Sequence, residues 1–257
     1  MSGSAKLHSH QNMFDHASSL VKIEHVLPTH LNNLKVLDVG CGDARLSSNL
    51  LPLGANVVGF DIHQKALAKA KEKGLKTVLG DLEKPWTFAN NQFDIVFLLD
   101  VLEHVVDIEH CLKESSRVLK PTGKIIIAFP NHFDLRNRLH ILFGRGIIHW
   151  SHQKYEMEAW NYGHVRFLTY SQFTNLLAKF NLSLEIEQFN FMSGGILPSR
   201  FLPYFLKKFL MQFWPNLFSG KFIVRVKQNL NGSDKVKSTN QAPKPKRIYL
   251  GRTTLGI

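Results

Sequence analysis

Cysteine is almost absent from this sequence, which holds only Cys41 and Cys111 among its 257 residues. The two do not have the spacing of metal ligands, and we expect no disulfide between them. Long apolar runs are also missing, since none approaches the ~18 residues that a membrane-spanning helix needs. The polar segment 1–12 lacks the apolar core of a signal peptide. These absences favour a cytoplasmic protein, and peripheral contact with a membrane is an alternative that segment 201–218 raises.

Acidic residues are scarce beside basic ones, with 20 Asp and Glu against 32 Lys and Arg, so the net charge is +12. Residues 221–257 hold nine basic residues and one acid, which accounts for +8, and the rest of the chain carries +4. From residue 229 the sequence is rich in Ser, Asn, Pro and Lys and has little to bury. We therefore predict a basic, disordered tail at 229–257 that solubilises the chain. A nucleic-acid-binding arm is the alternative.

Strand-like and helix-like segments alternate along much of the chain. We predict strands at 35–40, 56–61, 75–80, 93–99, 124–129, 182–188 and 221–227, and helices at 13–27, 44–53, 63–73, 107–119 and 170–180. Several strands are apolar on both faces, as a parallel sheet with helices on both faces requires. The pattern therefore predicts an α/β fold of right-handed βαβ units.

Two segments interrupt this order after the fifth strand. Residues 131–166 are rich in aromatic residues, histidine and arginine and show no clear period, and residues 197–218 are crowded with large apolar side chains. Ligands of open α/β sheets bind at the carboxyl ends of the strands. We therefore predict one domain, residues 1–228, whose two inserts lie on the substrate side of the sheet.

A loop with two glycines follows the first predicted strand. Gly40 and Gly42 let the backbone approach a ligand and turn into the next helix. Asp38, two residues earlier, can orient the loop or meet a cationic group of the ligand. Asp61 ends the second strand, where a carboxylate accepts hydrogen bonds from ribose hydroxyls. The pattern predicts a nucleoside-containing cofactor at this edge of the sheet.

Further acids follow the third and fourth strands. Asp81 is placed to bind an adenine amino group while Leu82 contacts the ring, and Asp100 follows Leu99 on the same edge. A site for NAD or FAD is the rival interpretation, but its fingerprint needs a third glycine where this chain has Arg45. Acids at four successive strand ends favour a different nucleoside cofactor.

The chain resembles the class I S-adenosylmethionine-dependent methyltransferases. The motifs that carry the resemblance are residues 37–42, 58–62, 80–82, 93–96, 101–105 and 117–124. The resemblance implies a Rossmann-like sheet of seven strands, mostly parallel with the last one antiparallel. It also implies S-adenosylmethionine as cofactor, with contacts at Asp38, Gly40, Gly42, Asp61, Ile62, Asp81, Leu82, Leu99 and Asp100.

Methyl transfer from a sulfonium is an in-line displacement, in which the protein holds the acceptor roughly 3–3.5 Å from the methyl group and excludes water. A base helps when the acceptor is a hydroxyl, and His104 is our candidate. The alternative is that Glu103 and His104 only bond locally in the first turn of a helix. The pair resembles that of ubiquinone-type O-methyltransferases, some of which bind a divalent metal there. Their additional Glu is Asp100 here, and we predict a site without metal.

The methyl acceptor is constrained mainly by missing motifs. Residues 99–102 lack the Asn/Asp-Pro-Pro-Tyr/Phe motif of amino-methyltransferases, and neither cysteine fits a covalent cytosine methyltransferase. We therefore expect O-methylation of a small, lipid-like or saccharide-linked acceptor. Residues 128–145 and 160–169 also resemble the methionine-biosynthesis protein MetW, which implies an alternative role as a non-catalytic partner of a biosynthetic enzyme. A nucleic-acid methyltransferase is the third alternative.

The segment 201–218 is strongly apolar and helix-like, with Lys207 and Lys208 as most of its charge. One interpretation is a helix that covers the substrate pocket as a lid. The other is an interfacial helix that rests on a membrane and admits a lipid-linked acceptor.

Overall fold

A central sheet with helices on both faces organises the chain in the computed structural model, which describes residues 23–147, 163–191 and 202–229. The strands are β1 (Lys35–Val39), β2 (Asn56–Asp61), β3 (Lys76–Leu79), β4 (Phe93–Leu99), β5 (Leu119–Pro130), β6 (Leu182–Phe191) and β7 (Ser219–Gln228). The α-helices are α1 (Gln64–Glu72), α2 (Ile108–Val118), α3 (Leu135–Leu142), α4 (Tyr170–Lys179), α5 (Tyr204–Phe213) and α6 (Pro215–Phe218). Short 3₁₀ helices lie at Glu24–Val26 and Ser47–Leu53.

The seven strands form one sheet in the order β3-β2-β1-β4-β5-β7-β6. The first five strands pair in parallel, whereas β7 runs antiparallel to both β5 and β6. The predicted Rossmann-like, mostly parallel sheet with an antiparallel last strand is confirmed. Because β1 to β4 are parallel, the loops that follow them all leave the sheet at one edge, where the predicted site residues lie.

Alternating side chains of the strands fill two cores, one on each face of the sheet. Leu37, Val96 and Ile127 point into the larger core together with side chains of α2 and α4. Their neighbours Val36 and Ile95 point to the opposite face, against α1 and the two 3₁₀ helices. Burial on both faces explains why these strands are almost continuously apolar.

Residues 44–53 differ from the helix that we predicted there. Ala44 has a left-handed backbone with φ of 55°, and only Ser47–Leu53 is helical, as a 3₁₀ helix that includes Pro52. Proline has no N–H to donate to a preceding turn, and an α-helix does not continue through it without distortion. The pattern of apolar residues was correct, but the type of helix was wrong.

The two predicted inserts contain regular structure in the parts that are described. Helix α3 begins at Leu135, where the Asp134 carboxylate accepts a hydrogen bond from the Asn137 N–H at 2.9 Å. Our statement that residues 131–166 have no period was therefore wrong for this part. Helices α5 and α6 occupy most of residues 204–218. The predicted tail lies outside the described residues beyond Asn229, as does most of the predicted helix 13–27.

Strand β5 is longer than predicted, since it begins at Leu119 rather than at residue 124. The first residues of β5 pair irregularly with β4, because the register between the two strands shifts between Phe93 and Ile95 of β4. Within the described part of the chain, no helix is both long enough and apolar enough to cross a bilayer.

Candidate active site

The carboxylate of Asp61 organises the loop that follows β1. Its Oδ2 accepts a hydrogen bond from the Gly42 N–H at 2.8 Å, and its Oδ1 accepts one from the His63 N–H at 2.8 Å. The Gly80 N–H donates to the Asp61 carbonyl at 3.0 Å. The ends of β1, β2 and β3 therefore meet at buried Asp61, the first two through its carboxylate and the third through its backbone carbonyl.

Glycine is required at position 40 for two reasons. The residue has a φ of 65°, in the left-handed region, and a Cβ built there would lie 2.9 Å from a Val101 methyl carbon. Gly42 is also left-handed, with a φ of 54°, but a Cβ there would meet nothing within 4 Å. The loop is thus closely packed at Gly40 and open at Gly42, where a ligand has room to approach the backbone.

Asp38 lies below this loop at the end of β1 and is buried. Burial raises its pKa from 3.8 to about 7, an effect that a hydrogen bond from Ser47 opposes and the nearby Asp61 carboxylate increases. A cationic neighbour stabilises the ionised form of such a carboxyl, because a positive charge offsets the cost of ionising it in a poorly solvated place. The site therefore offers a favourable position for a cation beside the glycine loop.

The loops after β2 and β3 supply the remaining predicted cofactor residues. The Ile62 side chain is 56% exposed, and the Leu82 side chain packs partly against the larger core. Asp81 accepts a hydrogen bond from the Glu83 N–H at 3.0 Å within its own turn. The Glu83 carboxylate in turn accepts hydrogen bonds from the N–H groups of Val106 and Asp107 at 2.6 and 2.9 Å. The loop after β3 is thereby tied to the loop after β4.

Asp100 ends β4 in a left-handed conformation, with a φ of 56°. Its Oδ2 lies 2.5 Å from the ammonium nitrogen of Lys221, which reaches it from β7. Sequence reasoning had counted Lys221 only as part of the basic C-terminal segment. Pairing with Lys221 neutralises Asp100, so this carboxylate is less suited to bind a metal ion than its position suggested.

His104 lies in a turn between β4 and α2, because α2 begins only at Ile108. The His104 N–H bonds to the Val101 carbonyl at 2.9 Å, and the ring Nδ1 lies 2.9 Å from the Gly163 carbonyl oxygen. A carbonyl oxygen only accepts, so Nδ1 carries the hydrogen and Nε2 of the neutral ring carries the lone pair. The alternative interpretation placed Glu103 and His104 in the first turn of a helix, but the two residues lie in the turn before it.

Segment 163–166 is held against the His104 turn by backbone hydrogen bonds. The N–H groups of Val165 and Arg166 donate to the Glu103 carbonyl at 2.8 and 3.2 Å. This pairing brings the His164 ring to a centroid distance of 4.6 Å from the His104 ring. The C-terminal end of the first insert, residues 163–166, thus forms one wall of the site.

Two histidines that sequence reasoning left without a role meet at this wall. His132 follows β5, and its Nε2 lies 2.6 Å from Nδ1 of His164, with both residues buried. The clustering of histidines in residues 131–166 was the only sequence signal for this contact. His149 and His152, which belong to the same segment, lie outside the described residues.

Glu103 is almost fully buried, with 1% of its surface exposed. Burial raises its pKa well above the ordinary value, and the nearby Asp100 carboxylate raises it further, whereas Lys221 lowers it. One potential ligand atom each from Glu103, His104 and His164 lies within 4.8 Å of the others. Among the described residues, the third side chain that converges with Glu103 and His104 is therefore His164 and not Asp100. The convergent set contains two imidazoles and one carboxylate.

The sheet order, the glycine loop and the acids at the strand ends define a class I methyltransferase fold. Residues 37–127 match the family model described as a methyltransferase domain. A solved S-adenosylmethionine-dependent methyltransferase from Archaeoglobus fulgidus aligns over 86% of this chain and 97% of its own, with a TM-score of 0.59 and 14% identity. The expected resemblance is confirmed: residues 37–127 match a methyltransferase domain, and the chain has the fold of the solved S-adenosylmethionine-dependent methyltransferase.

Curated relatives with detectable sequence similarity are ubiquinone biosynthesis O-methyltransferases. That of Pelagibacter ubique is 38% identical over 105 residues, which cover 39% of this chain and 44% of the relative. That of Rickettsia bellii is 29% identical over 164 residues, covering 60% of this chain and 64% of the relative. The chain thus spans about half of the length of the curated relatives it matches.

Proposed function

We propose that this protein transfers a methyl group from S-adenosylmethionine to a hydroxyl oxygen of a small, lipid-like acceptor. The observation that carries the proposal is the convergence of the Asp61-anchored glycine loop and the His104 turn at one edge of the sheet. The first supplies a place for a nucleoside, and the second supplies a nitrogen base. Similarity to O-methyltransferases of ubiquinone biosynthesis supports the oxygen acceptor and its lipid-like character.

Each predicted cofactor residue has a role in this proposal. Asp61 accepts hydrogen bonds from the ribose hydroxyls with the remaining lone pairs of its two oriented oxygens. Gly40 and Gly42 admit the cofactor to the backbone, while Asp38 and the strand end at Leu99 and Asp100 face its methionyl portion. Ile62 and Leu82 enclose the adenine ring, and Asp81 binds its amino group.

His104 serves the acceptor rather than the cofactor. Its Nδ1–H is fixed on the Gly163 carbonyl at 2.9 Å, so the ring is oriented with the Nε2 lone pair as the proton acceptor. A hydroxyl that begins to lose its proton during attack on the sulfonium methyl group is a better nucleophile. A positioned base typically contributes about 10²–10⁴-fold to such a step.

Transfer of a labelled methyl group tests this function. The full chain is incubated with S-adenosylmethionine labelled in the methyl group and with fractionated cell extract, and label is sought in lipid, small-molecule and RNA fractions. The proposal predicts label in a lipid-soluble product as a base-resistant ether, and at least ~10²-fold slower transfer by His104→Gln. His110→Gln is a matched control, because His110 lies in helix α2 outside the site.

Two other outcomes of this experiment would contradict the proposal and favour one of the alternative functions. Label in RNA would favour a nucleic-acid methyltransferase, the third possibility that the basic tail raised. No transfer to any fraction, combined with tight binding of a second protein, would favour the MetW-like accessory role.

We further propose that helix α5 contacts the membrane surface from which a lipid-like acceptor is taken. Phe205, Phe209 and Phe213 follow each other at intervals of four residues, and their side chains are 72%, 48% and 59% exposed. This spacing places them along one face of the helix, and Trp214 extends the same apolar region with 50% exposure. Lys207 belongs to the same helix and supplies the positive charge that favours anionic lipid.

Co-sedimentation with anionic liposomes tests the membrane contact. The full chain should bind, and Phe209→Glu combined with Phe213→Glu should abolish binding while thermal unfolding stays cooperative. Leu53→Glu is the control, since this leucine is 55% exposed and lies next to Gly54, far from α5 in sequence. No binding by the wild type would contradict the proposal, and binding retained by the double variant would contradict the role of this face.

A further inference from the structure

We propose that Glu83 is a positioning residue of the cofactor site, which holds Asp81 and Leu82 in place by anchoring their loop to the turn between β4 and α2. The inference rests on the proposed function, in which Asp81 binds the adenine amino group and Leu82 contacts the ring. Glu83 acts on the cofactor only through these two neighbours. Its loss should therefore change how well the protein recognises adenine, in addition to any effect on folding.

Both carboxylate oxygens of Glu83 hold the N-terminal end of helix α2. Oε1 accepts a hydrogen bond from the Val106 N–H at 2.6 Å, and Oε2 accepts one from the Asp107 N–H at 2.9 Å. Hydrogen bonds to a charged carboxylate are roughly twice as strong as those between neutral groups, and a helix N-terminus favours a negative charge. A side chain with one acceptor oxygen, or with none, cannot reproduce this double contact.

The turn that anchors Glu83 is itself fixed beside the glycine loop. Asp107 is the N-cap of α2, and its side-chain carboxylate accepts a hydrogen bond from the first turn of the helix. Earlier in the same turn, the His104 N–H donates to the Val101 carbonyl at 2.9 Å. A Val101 methyl carbon lies 2.9 Å from the position that a Cβ would take at Gly40. The anchor of Glu83 therefore belongs to the same edge of the sheet as the cofactor site.

Asp81 and Leu82 directly precede Glu83 and depend on where its backbone lies. Oδ1 of Asp81 accepts a hydrogen bond from the Glu83 N–H at 3.0 Å, so the position of this N–H orients the carboxylate. Leu82 adjoins the glycine loop, since its Cδ1 lies 3.9 Å from the position that a Cβ would take at Gly40. A shift of Glu83 would therefore turn the Asp81 carboxylate and move Leu82 relative to the glycine loop.

Trp86 holds the same loop from its other side. Its indole N–H donates to the Leu82 carbonyl at 3.3 Å, and its backbone N–H donates to the Glu114 carboxylate of α2 at 2.7 Å. The Trp86 ring is buried and lies edge-on to Phe60, at 5.5 Å between centroids. Because these contacts remain when Glu83 is replaced, we expect Glu83 variants to stay folded and to lose only the precise placement of the first loop residues.

Discrimination between adenine and hypoxanthine by the full chain, without an acceptor, tests the inference. Calorimetry compares the affinity for S-adenosylhomocysteine with that for S-inosylhomocysteine, in which a carbonyl oxygen replaces the adenine amino group. A hydrogen bond to a charged group changes affinity by roughly 10–100-fold, so the wild type should prefer the adenine ligand by this factor. Glu83→Ala should reduce the preference to about threefold or less. Glu83→Gln, which keeps one acceptor oxygen, should lie between the two.

Glu109→Ala is the matched control, because Glu109 is also an acidic residue in the first turn of α2 but pairs with Lys179. The substitution removes a negative charge from the same helix end and should leave the preference for adenine unchanged. Circular dichroism shows whether each variant is folded, and the Glu83→Gln comparison is decisive by itself if the alanine variant does not fold.

Three results would overturn the inference. These are a preference for adenine in the folded Glu83 variants equal to that of the wild type, an equal loss of preference in Glu109→Ala, and equal binding of both ligands by the wild type. A chain that prefers the adenine ligand, loses this preference in Glu83→Ala and transfers no methyl group would support the inference and refute the proposed function alone.

Discussion

The buried carboxyl of Asp38 makes the stability of this protein depend on pH in a predictable direction. Burial raises its pKa from 3.8 to about 7 in the folded protein. Between these values the unfolded chain has released its proton while the folded chain retains it, so the folded state loses stability as pH rises. The contribution is complete below the unfolded pKa and is lost by the time pH passes the folded one.

The size of this effect follows from the change in pKa. At about 1.4 kcal/mol per unit, ionising Asp38 lowers the free energy of unfolding by about 4 kcal/mol at pH 8. Most of this loss, about 3 kcal/mol, should fall between pH 5 and pH 8 by the same factor. Asp38→Asn removes the ionisation and keeps the size of the side chain. The variant should therefore be more stable than the wild type at pH 8, and its stability should change less over this window.

Urea denaturation of both proteins at several pH values measures the difference directly. Other groups that titrate, including the histidines, are present in both chains, so they cancel in the comparison. Parallel stability curves for wild type and variant between pH 5 and pH 8 would refute the assignment of a raised pKa to Asp38. If a cationic cofactor binds beside Asp38 as proposed, its affinity for the wild type should also rise over this range, and that for Asp38→Asn should not.

Two further predictions concern the glycine loop and the core. Gly40→Ala should lower the free energy of unfolding by about 1–2 kcal/mol through its left-handed backbone, and by more through contact of the new Cβ with Val101. The control Gly42→Ala should show only the backbone effect, because its Cβ meets nothing within 4 Å. Equal losses in urea denaturation would contradict the steric argument. Phe129→Ala removes a fully buried ring stacked on Phe173 at 5.6 Å between centroids and should cost about 3–5 kcal/mol, measured by thermal unfolding. A loss below 1 kcal/mol would contradict its place in the core.

The sheet could be predicted from the sequence because its determinants are local. Strands β2 and β4 have the bounds that we predicted, since each is a mostly apolar run that ends at an acid or directly before one. The carboxyl ends of β1 to β4 lie at one edge in any parallel sheet, so the position of Asp61 beside the glycine loop followed from the pattern alone. The helix at 44–53 was wrong because apolar spacing does not distinguish a 3₁₀ from an α-helix.

The histidine wall and the Lys221 contact could not be predicted because they depend on distant parts of the chain. His104 and Gly163 are 59 residues apart, and Asp100 and Lys221 are 121 residues apart. Their meeting depends on how β7 and segment 163–169 pack beside the ends of β4 and β5. Residue types alone showed that histidines are concentrated after β5, but not which of them face His104.

The most direct test of the central claim is calorimetric titration of the full chain with S-adenosylmethionine. We predict binding of one equivalent to the wild type. Asp61→Ala should lose most of this affinity, because the substitution removes the ribose acceptor and the partner of the Gly42 and His63 N–H groups. Ala substitution of Asp94, whose carboxylate pairs with Lys120 at the opposite end of β4, is the control and should bind normally. No heat of binding with the folded wild type, or equal affinity for Asp61→Ala, would contradict the account.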